Sequence, residues 1–338
     1  LFVDYLSSLK RNILIKKVQK LKKNGRDMIN KQRIIFMGSP LIAREYLKTL
    51  IKNKFNIIAV YTQPPRPKGR GMEIKNSSVY EEAMQHGIPV HHPTDFNEQE
   101  TVNTFIDLKA DLVVVMAYGK LLPLNIINTP SYGCINIHIS LLPRWRGAAP
   151  VEYALLNGDK QTGVSIIRLV SELDAGPILS KVSISIERNM NKQDLLEKLT
   201  FVGKNLLIET LPNYFNNKIT PIEQNIKEVT YAGKISSEIT RINFNDNPVN
   251  ILNKIRAFSP KPGAWFMFNN ERFKIIKCKT SMQTGIPSTI ANSEFNIACD
   301  GGLIAPKIIQ REGKKPMVIG EFLKGFKFTI GEKVNVQI

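Results

Sequence analysis

Apolar residues follow two different spacings through residues 31–219, and together they predict an α/β fold. Short continuous apolar runs, such as "RIIFMGSP" (33–40), "FNIIAVYTQ" (55–63) and "ADLVVVMAYG" (110–119), are typical of strands buried in a parallel sheet. Between the first two runs, apolar residues at helical spacing over 41–53 predict a helix, and a strand–helix–strand unit makes its two strands parallel. The pattern therefore predicts an open, mostly parallel, Rossmann-like sheet.

The same alternation of elements continues further along the chain. "GCINIHIS" (133–140), "GVSIIRLV" (163–170) and "ILSKVSISI" (178–186) predict three more strands, and a long amphipathic helix is expected over 191–215. By contrast, "TQPPRPKGRGMEIKN" (62–76) is rich in proline, glycine and arginine, so it predicts a surface loop.

The pattern changes after residue 219 and divides the rest of the chain. Residues 220–238 are polar and aperiodic, which predicts a linker, and short strands separated by Gly, Pro and Asn over 239–338 predict a small OB-like β-barrel. At the other end, residues 1–30 are expected to form a basic extension, with a helix over 1–27 carrying apolar residues at helical spacing. We therefore expect an extension, an α/β domain (31–219), a linker and a C-terminal β-barrel domain.

Charge is distributed unevenly along the 338 residues, whose formal net charge is +18. Residues 1–27 contain 8 Lys and Arg against 2 Asp and Glu, and residues 239–338 contain 15 against 7, so both ends are basic. Basic ends favour an acidic partner such as a nucleic acid, although a generally lysine-rich proteome would give the same composition.

Composition also argues against several classes of protein. The sequence has no run of about 18 apolar residues, so no membrane-spanning helix is predicted. Cys134, Cys278 and Cys299 lie far apart without a C-x-x-C pair, which predicts reduced thiols and a cytoplasmic protein. The four histidines lack the spacing of metal ligands, so no metal is expected.

Candidate chemistry is concentrated in "INIHISLLPRWRGAAP" (135–150). The period of two in a strand puts Asn136, His138 and Ser140 on one face, at the carboxyl end of the strand, where open α/β sheets bind ligands. The turn after a neighbouring strand supplies Asp174. An amide can bind an oxyanion, an imidazole can move protons near neutrality, and a carboxylate can orient that imidazole. The alternative for His138 taken alone is a half-buried histidine with satisfied hydrogen bonds.

These motifs resemble the signature of the folate-dependent formyltransferase family. Asn136-x-His138-x-Ser140-Leu-Leu-Pro and the later "LDAGPIL" (173–179) carry the resemblance. Within the family, "SLLPRWRGAAP" together with "TQPPRPKGRG" is similar to the branch that formylates methionyl-tRNA, and "IRAFSPKPGAW" (255–265) and "GKKPM" (313–317) extend the similarity to the C-terminal barrel.

The resemblance implies an enzyme that transfers the formyl group of 10-formyltetrahydrofolate to the α-amine of methionyl initiator tRNA. Asn136 and His138 would stabilise the tetrahedral oxyanion, and Asp174 would assist proton transfer. The implied folate-binding residues lie in two segments: Met116, Ala117, Tyr118, Gly119, Leu122, Pro123, Ser140, Leu141, Leu142 and Pro143. The side chains of the first segment suit an apolar core equally well.

The resemblance also implies contacts with tRNA, mainly through phosphates. The loop 62–76 would enter the acceptor end, with Arg70 in the family's key arginine position. The candidate tRNA-binding residues are Arg66, Lys68, Arg70, Arg144, Arg146, Lys254, Arg256, Lys261, Lys314 and Lys315, with Arg272 as a further cation of the barrel. Any one of these lysines, taken alone, is more simply interpreted as a solvated surface residue than as a tRNA contact. We expect a monomer that uses folate as co-substrate, needs no metal and does not bind membranes.

Residues 1–27 resemble the C-terminal tail of peptide deformylase. The H-E-x-x-H metal-binding motif of that enzyme is absent, so no deformylase activity is expected. Met28 begins "MINKQRIIFMGSP", which resembles a natural start of a formyltransferase. We expect the extension to derive from a neighbouring gene, either by gene prediction or by true fusion.

Two other functions are compatible with parts of the sequence. One is a folate-dependent formyltransferase or hydrolase that acts on a small amine such as glycinamide ribonucleotide, which Asn136, His138 and Asp174 alone do not exclude. The other is a tRNA-binding module with a decayed catalytic site. The basic barrel and the Arg70 loop argue against the first, and the intact trio argues against the second.

Overall fold

The computed structural model describes residues 31–68 and 72–335. The predicted helix over 1–27 and the key arginine Arg70 lie outside the described residues. The chain divides into two compact units. Within the described residues, the first unit is drawn from residues up to His138, Val164–Val182 and Thr200–Gln224, and the second from Ile139–Gly163, Ser183–Leu199 and the residues from Asn225 on.

Strands and helices follow in chain order. The strands are β1 (Ile34–Gly38), β2 (Ile57–Tyr61), β3 (Arg66–Lys68), β4 (Glu73–Lys75), β5 (Val90–His91), β6 (Leu112–Met116), β7 (Cys134–His138), β8 (Arg146–Gly147), β9 (Gln161–Arg168), β10 (Ile178–Ser185), β11 (Tyr231–Ala232), β12 (Ala264–Phe268), β13 (Glu271–Ser281), β14 (Ile297–Cys299), β15 (Gly302–Arg311) and β16 (Met317–Val318). The helices are α1 (Leu41–Lys52), α2 (Ser78–Gln85), α3 (Gln99–Asp107), α4 (Leu124–Ile127), α5 (Pro150–Leu156), α6 (Lys192–Phe215), α7 (Ser237–Thr240), α8 (Pro248–Phe258) and α9 (Ile319–Gly325), with a 3₁₀ turn at Ile226–Glu228.

The first unit is built on a mostly parallel sheet. In the described part of the chain this sheet has seven strands in the order β10-β9-β7-β6-β1-β2-β5. The pairs β1–β2, β1–β6, β2–β5 and β6–β7 are parallel, whereas β9 runs antiparallel to β7. Every residue of β1 and β6 is buried, as their continuous apolar runs predict for central strands. The predicted α/β fold is confirmed.

The segment predicted as a surface loop over 62–76 is more ordered than expected. Its described ends pair as a short antiparallel hairpin, β3–β4, in which Arg66 lies opposite Lys75. The predicted surface position is confirmed, since Arg66 and all of β4 are exposed, but the segment was wrongly expected to lack strands, because proline and glycine forbid a central strand but not a short hairpin of this kind. At its base, the Gln63 side chain donates to the backbone oxygen of Tyr118 at 2.9 Å, which ties the hairpin to the segment after β6.

The second unit contains the C-terminal antiparallel β domain. Among the described residues this domain has the strand order β12-β13-β15-β14, with β16 paired to β15. Phenylalanine side chains fill its interior, and Phe266, Phe268, Phe273 and Phe295 are almost fully buried. Alternating burial along β12 brings the rings of Phe266 and Phe268 inward.

Residues 220–238, predicted as a linker, form secondary structure of their own. They include the 3₁₀ turn Ile226–Glu228 and β11, and β11 pairs in parallel with β8. Gln224 is 8 % exposed, so one polar residue of this segment is buried. No helix within residues 31–68 and 72–335 is long and apolar enough to cross a bilayer.

Candidate active site

Strand β7 delivers the first two polar side chains of the site. Ile135 and Ile137 are buried, Asn136 is half-buried and His138 is 5 % exposed. The strand ends at His138, where its register with β9 also ends, opposite Ser165. Asn136 and His138 therefore lie at the carboxyl end of a strand that is buried between β6 and β9.

The alternation expected through Ser140 does not continue that far. Ser140 lies beyond the end of β7 and is fully buried. Its hydroxyl donates to the backbone oxygen of Arg144 at 2.6 Å, so it stabilises the turn that follows. The expected strand position was wrong because the turn toward Pro143 begins before residue 140.

The loop between β9 and β10 brings a carboxylate to Asn136 and His138, although β9 runs antiparallel to β7 and ends opposite Ile135. Asp174 is 7 % exposed and adopts a left-handed backbone conformation with φ of +50°. Its Oδ1 accepts a hydrogen bond from Asn136 Nδ2 at 3.3 Å, and its Oδ2 lies 3.6 Å from His138 Nδ1. The second distance is longer than that of an ordinary hydrogen bond. The structure thus brings two sequence-predicted side chains, the Asn136 amide and the His138 imidazole, to the carboxylate of the third, Asp174.

This arrangement has a definite chemical consequence. A carboxylate facing Nδ1 of an imidazole favours the tautomer with its proton on Nδ1, which makes Nε2 the proton-accepting nitrogen. The amide of Asn136 brings a neutral hydrogen-bond donor beside it. Donor, proton carrier and carboxylate in a buried setting are suited to a reaction in which an oxyanion develops.

The expected folate-binding segment after β6 separates into buried and exposed positions. Met116 and Tyr118 are each 2 % exposed, and burial raises the pKa of the Tyr118 hydroxyl to about 12. Ala117 and Gly119 are exposed and have left-handed backbones, with φ of +48° and +82°. The alternative of a core role therefore describes the Met116 and Tyr118 side chains, while Ala117 and Gly119 are exposed residues.

The remaining expected folate-binding residues lie in two loops, one after Gly119 and one after β7. Leu122 and Pro123 are half-buried, as are Leu141 and Pro143. Leu142 is buried, with 1 % of its surface exposed.

The two arginines of "PRWRG" make internal contacts in the second unit. Arg144 donates to both carboxylate oxygens of Asp159, at 2.9 and 2.7 Å, and lies over the Trp145 ring at 4.3 Å. The Trp145 indole donates to Asp159 as well, at 2.8 Å. Arg146 is 4 % exposed, so its side chain does not present a surface to a nucleic acid. The sequence analysis did not identify Asp159. Its partners Arg144 and Trp145 lie 15 and 14 residues earlier in the chain, and no repeating sequence pattern links the three positions.

The cations of α8 are engaged in the same way. Arg256 donates to the backbone oxygens of Glu187 and Met190 at 2.8 and 2.7 Å, and Lys254 donates to that of Arg241 at 2.9 Å. Desolvation lowers the pKa of both side chains. These two residues stabilise the second unit, which an inspection of charge alone does not reveal.

The other candidate cations are more accessible. Lys261, Lys314 and Lys315 are exposed, and Arg272 lies over the Trp265 ring at 4.1 Å. In the hairpin, Arg66 is exposed and donates to the Gln63 side-chain oxygen at 2.8 Å. Lys68 is the last residue of β3.

Within the described ranges, no group of three or more His, Cys, Asp or Glu side chains has an arrangement that could hold a metal ion. Cys134, Cys278 and Cys299 are free thiols that form no disulfide bond among the described residues.

Comparisons with known proteins agree with this architecture. Residues 32–211 match the formyl transferase family, and residues 234–327 match the formyl transferase C-terminal domain. The methionyl-tRNA formyltransferase of Rickettsia bellii is 40% identical over 305 residues, which cover 90% of this chain and 100% of the relative. That of Sinorhizobium fredii is 38% identical, with 89% of this chain and 99% of the relative covered.

Solved structures with the same fold are more distant in sequence. WlaRD, a sugar 3N-formyl transferase solved in the presence of dTDP and 5-N-formyl-THF, gives a TM-score of 0.61 at 20% identity and covers 84% of this chain and 99% of its own. The N-formyltransferase of Helicobacter canadensis, in complex with folinic acid and dTDP-3-aminofucose, gives 0.61 at 21% identity, over 81% of this chain and 99% of its own. At these identities the similarity is one of fold. The two family matches and the full-length relatives show that the chain belongs to the formyltransferase family, in the group of methionyl-tRNA formyltransferases.

Proposed function

We propose that this protein transfers the formyl group of 10-formyltetrahydrofolate to the α-amine of methionyl initiator tRNA, with Asn136, His138 and Asp174 as its catalytic residues. The observation that carries the proposal is the contact of one buried carboxylate with both the amide and the imidazole, at 3.3 and 3.6 Å. Full-length relatives named methionyl-tRNA formyltransferase support the choice of acceptor.

In the proposed reaction the methionyl amine attacks the formyl carbon, so a new carbon–nitrogen bond forms while the bond from that carbon to the folate nitrogen breaks. Asn136, and His138 once its Nε2 has taken up a proton, donate hydrogen bonds to the formyl oxygen as it becomes an oxyanion. Asp174 holds the imidazole and helps to move the proton lost by the amine to the folate nitrogen. Atoms balance without a covalent enzyme intermediate.

The folate is expected to bind beside this trio, along the segment after β6. Val115 and Asn136 are register partners in the parallel pair β6–β7, so residues 116–119 continue directly from the edge where Asn136 lies. Ala117 and Gly119 are exposed, so their backbone groups would supply donors and acceptors to a flat polar ring. The folate ligands of the solved sugar formyltransferases support a folate co-substrate here.

The tRNA is expected to bind mainly through phosphates on the C-terminal β domain. The proposal rests on the excess of 15 Lys and Arg over 7 Asp and Glu in residues 239–338 and on the exposure of Lys261, Lys314 and Lys315. Phosphate contacts of this kind make affinity depend strongly on salt and little on sequence. Arg66 and Lys68 of the hairpin, with Arg70, would approach the acceptor end.

To test this proposal, the purified protein is incubated with 10-formyltetrahydrofolate and methionyl-tRNA, with 10-formyltetrahydrofolate and glycinamide ribonucleotide, or with 10-formyltetrahydrofolate in water alone. We expect formyl transfer to methionyl-tRNA, little to the ribonucleotide and little hydrolysis. Transfer to the small amine in preference to tRNA would contradict the proposed acceptor. Release of formate in preference to both would instead identify a hydrolase.

A further inference from the structure

Residues 222–224 run alongside the loop that carries Asp174, although about 50 residues of chain separate them. Ile222 and Ile178 form an antiparallel bridge, with backbone hydrogen bonds of 2.7 and 2.9 Å in the two directions. This bridge fixes the backbone just beyond the loop. It also sets the position from which the next buried side chain, Gln224, reaches back.

The Gln224 side chain makes two hydrogen bonds to the backbone of that loop. Its Nε2 donates to the Asp174 oxygen at 2.7 Å and to the Gly176 oxygen at 2.8 Å, and the residue is 8 % exposed. A primary amide has two N–H groups on one nitrogen, so it satisfies both carbonyls at once. Turning the amide over would point its oxygen at two carbonyl oxygens, so the chemistry of the contact fixes the orientation.

The loop that Gln224 holds has an unfavourable backbone. Asp174 is not glycine yet has φ of +50°, a conformation that L-residues adopt rarely. Two residues on, a Cβ at Gly176 would lie 1.8 Å from the Arg168 backbone oxygen, so the chain passes too close to β9 for any side chain. Such conformations persist where surrounding contacts fix them, and functional sites are where they concentrate.

We propose that Gln224 is a positioning residue for catalysis: its two hydrogen bonds hold the Asp174 backbone in the left-handed conformation that directs the carboxylate to Asn136 and His138. This inference rests on the proposed function, since it assigns Gln224 a role only through the Asp174 carboxylate. Gln224 donates to the Asp174 backbone rather than to its carboxylate, so it controls direction and not charge. Displacements of about 1 Å at a catalytic group cost about 10²-fold in rate.

The experiment compares Gln224→Met, which keeps the length of the side chain but removes both donors, with Gln224→Glu and with the neighbouring exposed control Glu223→Met. For Gln224→Met we expect kcat of formyl transfer to fall by about 10- to 100-fold, with KM for both substrates within about threefold. The control should match the unaltered protein, since residue 223 is exposed. An unchanged kcat in Gln224→Met, or a loss confined to KM, would overturn the proposal.

Gln224→Glu supplies a readout that loss of folding would not give. Above its pKa the carboxylate has no proton to donate and repels the two carbonyls, whereas the protonated acid donates to one of them. The activity of Gln224→Glu relative to the unaltered protein should therefore rise as pH falls from about 8 to about 6. A pH-independent ratio would overturn the proposal even if Gln224→Met failed to fold.

His138→Ala, run in the same assay, separates the two levels of inference. If His138→Ala is inactive while Gln224→Met is fully active, the positioning role fails and the proposed function stands. If His138→Ala keeps full activity, the catalytic assignment of His138 fails, and if the unaltered protein transfers no formyl group to methionyl-tRNA, the proposed function itself fails.

Discussion

The proposed catalytic site and the basic surface of the C-terminal β domain use polar residues in opposite ways. At the proposed site, His138 and Asp174 are 5 % and 7 % exposed, and each is held by contacts with other parts of the first unit. In the β domain, the exposed cations Lys314 and Lys315 lie in a turn between β15 and β16. Buried polar groups need defined partners, whereas solvated charges need none. The geometry of their contacts can therefore identify buried functional groups such as His138 and Asp174. Charge alone cannot identify which exposed cations of the β domain bind a partner.

The largest expected effect concerns the charge at the sheet edge. Asp174→Asn keeps the shape of the side chain but removes the negative charge beside His138, so kcat should fall by about 10²- to 10³-fold. Steady-state formylation of methionyl-tRNA measures it. Glu172→Gln is the matched control, since it makes the same change at an exposed position of the same loop and should stay near the unaltered rate. Equal rates for Asp174→Asn and Glu172→Gln would show that the buried charge of Asp174 matters no more for formyl transfer than the exposed charge of Glu172.

A second test concerns the space around the same loop. In Gly176→Ala the added Cβ meets the Arg168 backbone oxygen, so the free energy of unfolding should fall by about 1–3 kcal/mol and kcat should fall with it. Gly320→Ala, with nothing near its added Cβ, serves as the control. Denaturant unfolding and the formylation assay together measure both. A Gly176→Ala protein as stable and active as the control would show that the loop yields easily.

The third test contrasts engaged and exposed cations of the second unit. Removing the two exposed lysines, Lys314→Ala with Lys315→Ala, should lower the slope of log affinity for methionyl-tRNA against log salt by about 2. Arg256→Met should leave that slope unchanged but lower the free energy of unfolding by about 1–3 kcal/mol, because it removes the hydrogen bonds to Glu187 and Met190. The reverse outcome would place the phosphate contacts on α8.

The smallest expected effect concerns the thiol at the start of β7. Cys134 is 1 % exposed, and burial raises its pKa to about 12, so very little thiolate forms at neutral pH. Iodoacetamide should therefore label Cys134 in the native protein far more slowly than in denatured protein, as peptide mass spectrometry would measure. Comparable rates would mean that β7 opens readily.

Much of the sheet and part of the site followed from pattern alone. Continuous apolar runs located β1 and β6, and the period of two in β7 identified Asn136 and His138 as polar positions at a strand end. Asp174 does lie in the turn after a neighbouring strand, but that strand, β9, runs antiparallel to β7, so the expected meeting of parallel strand ends does not explain its contact with Asn136 and His138.

Other features had no local signal in the sequence. The contact of Gln224 with the Asp174 loop spans about 50 residues and joins a side chain to backbone oxygens, which no residue type announces. Arg146 and Arg256 look like any other cation in the sequence, and only the packing of the second unit shows one to be buried and the other to be hydrogen-bonded internally. Ser140 left its expected face because the strand ended before it.

The most direct test of the account is the rate of formyl transfer from 10-formyltetrahydrofolate to methionyl-tRNA in a single turnover by His138→Ala, with bound tRNA measured in parallel. We predict a rate at least about 10²-fold below that of the unaltered protein, with tRNA binding retained. A rate within about twofold of the unaltered protein would contradict the claim that the imidazole beside Asp174 takes part in the reaction.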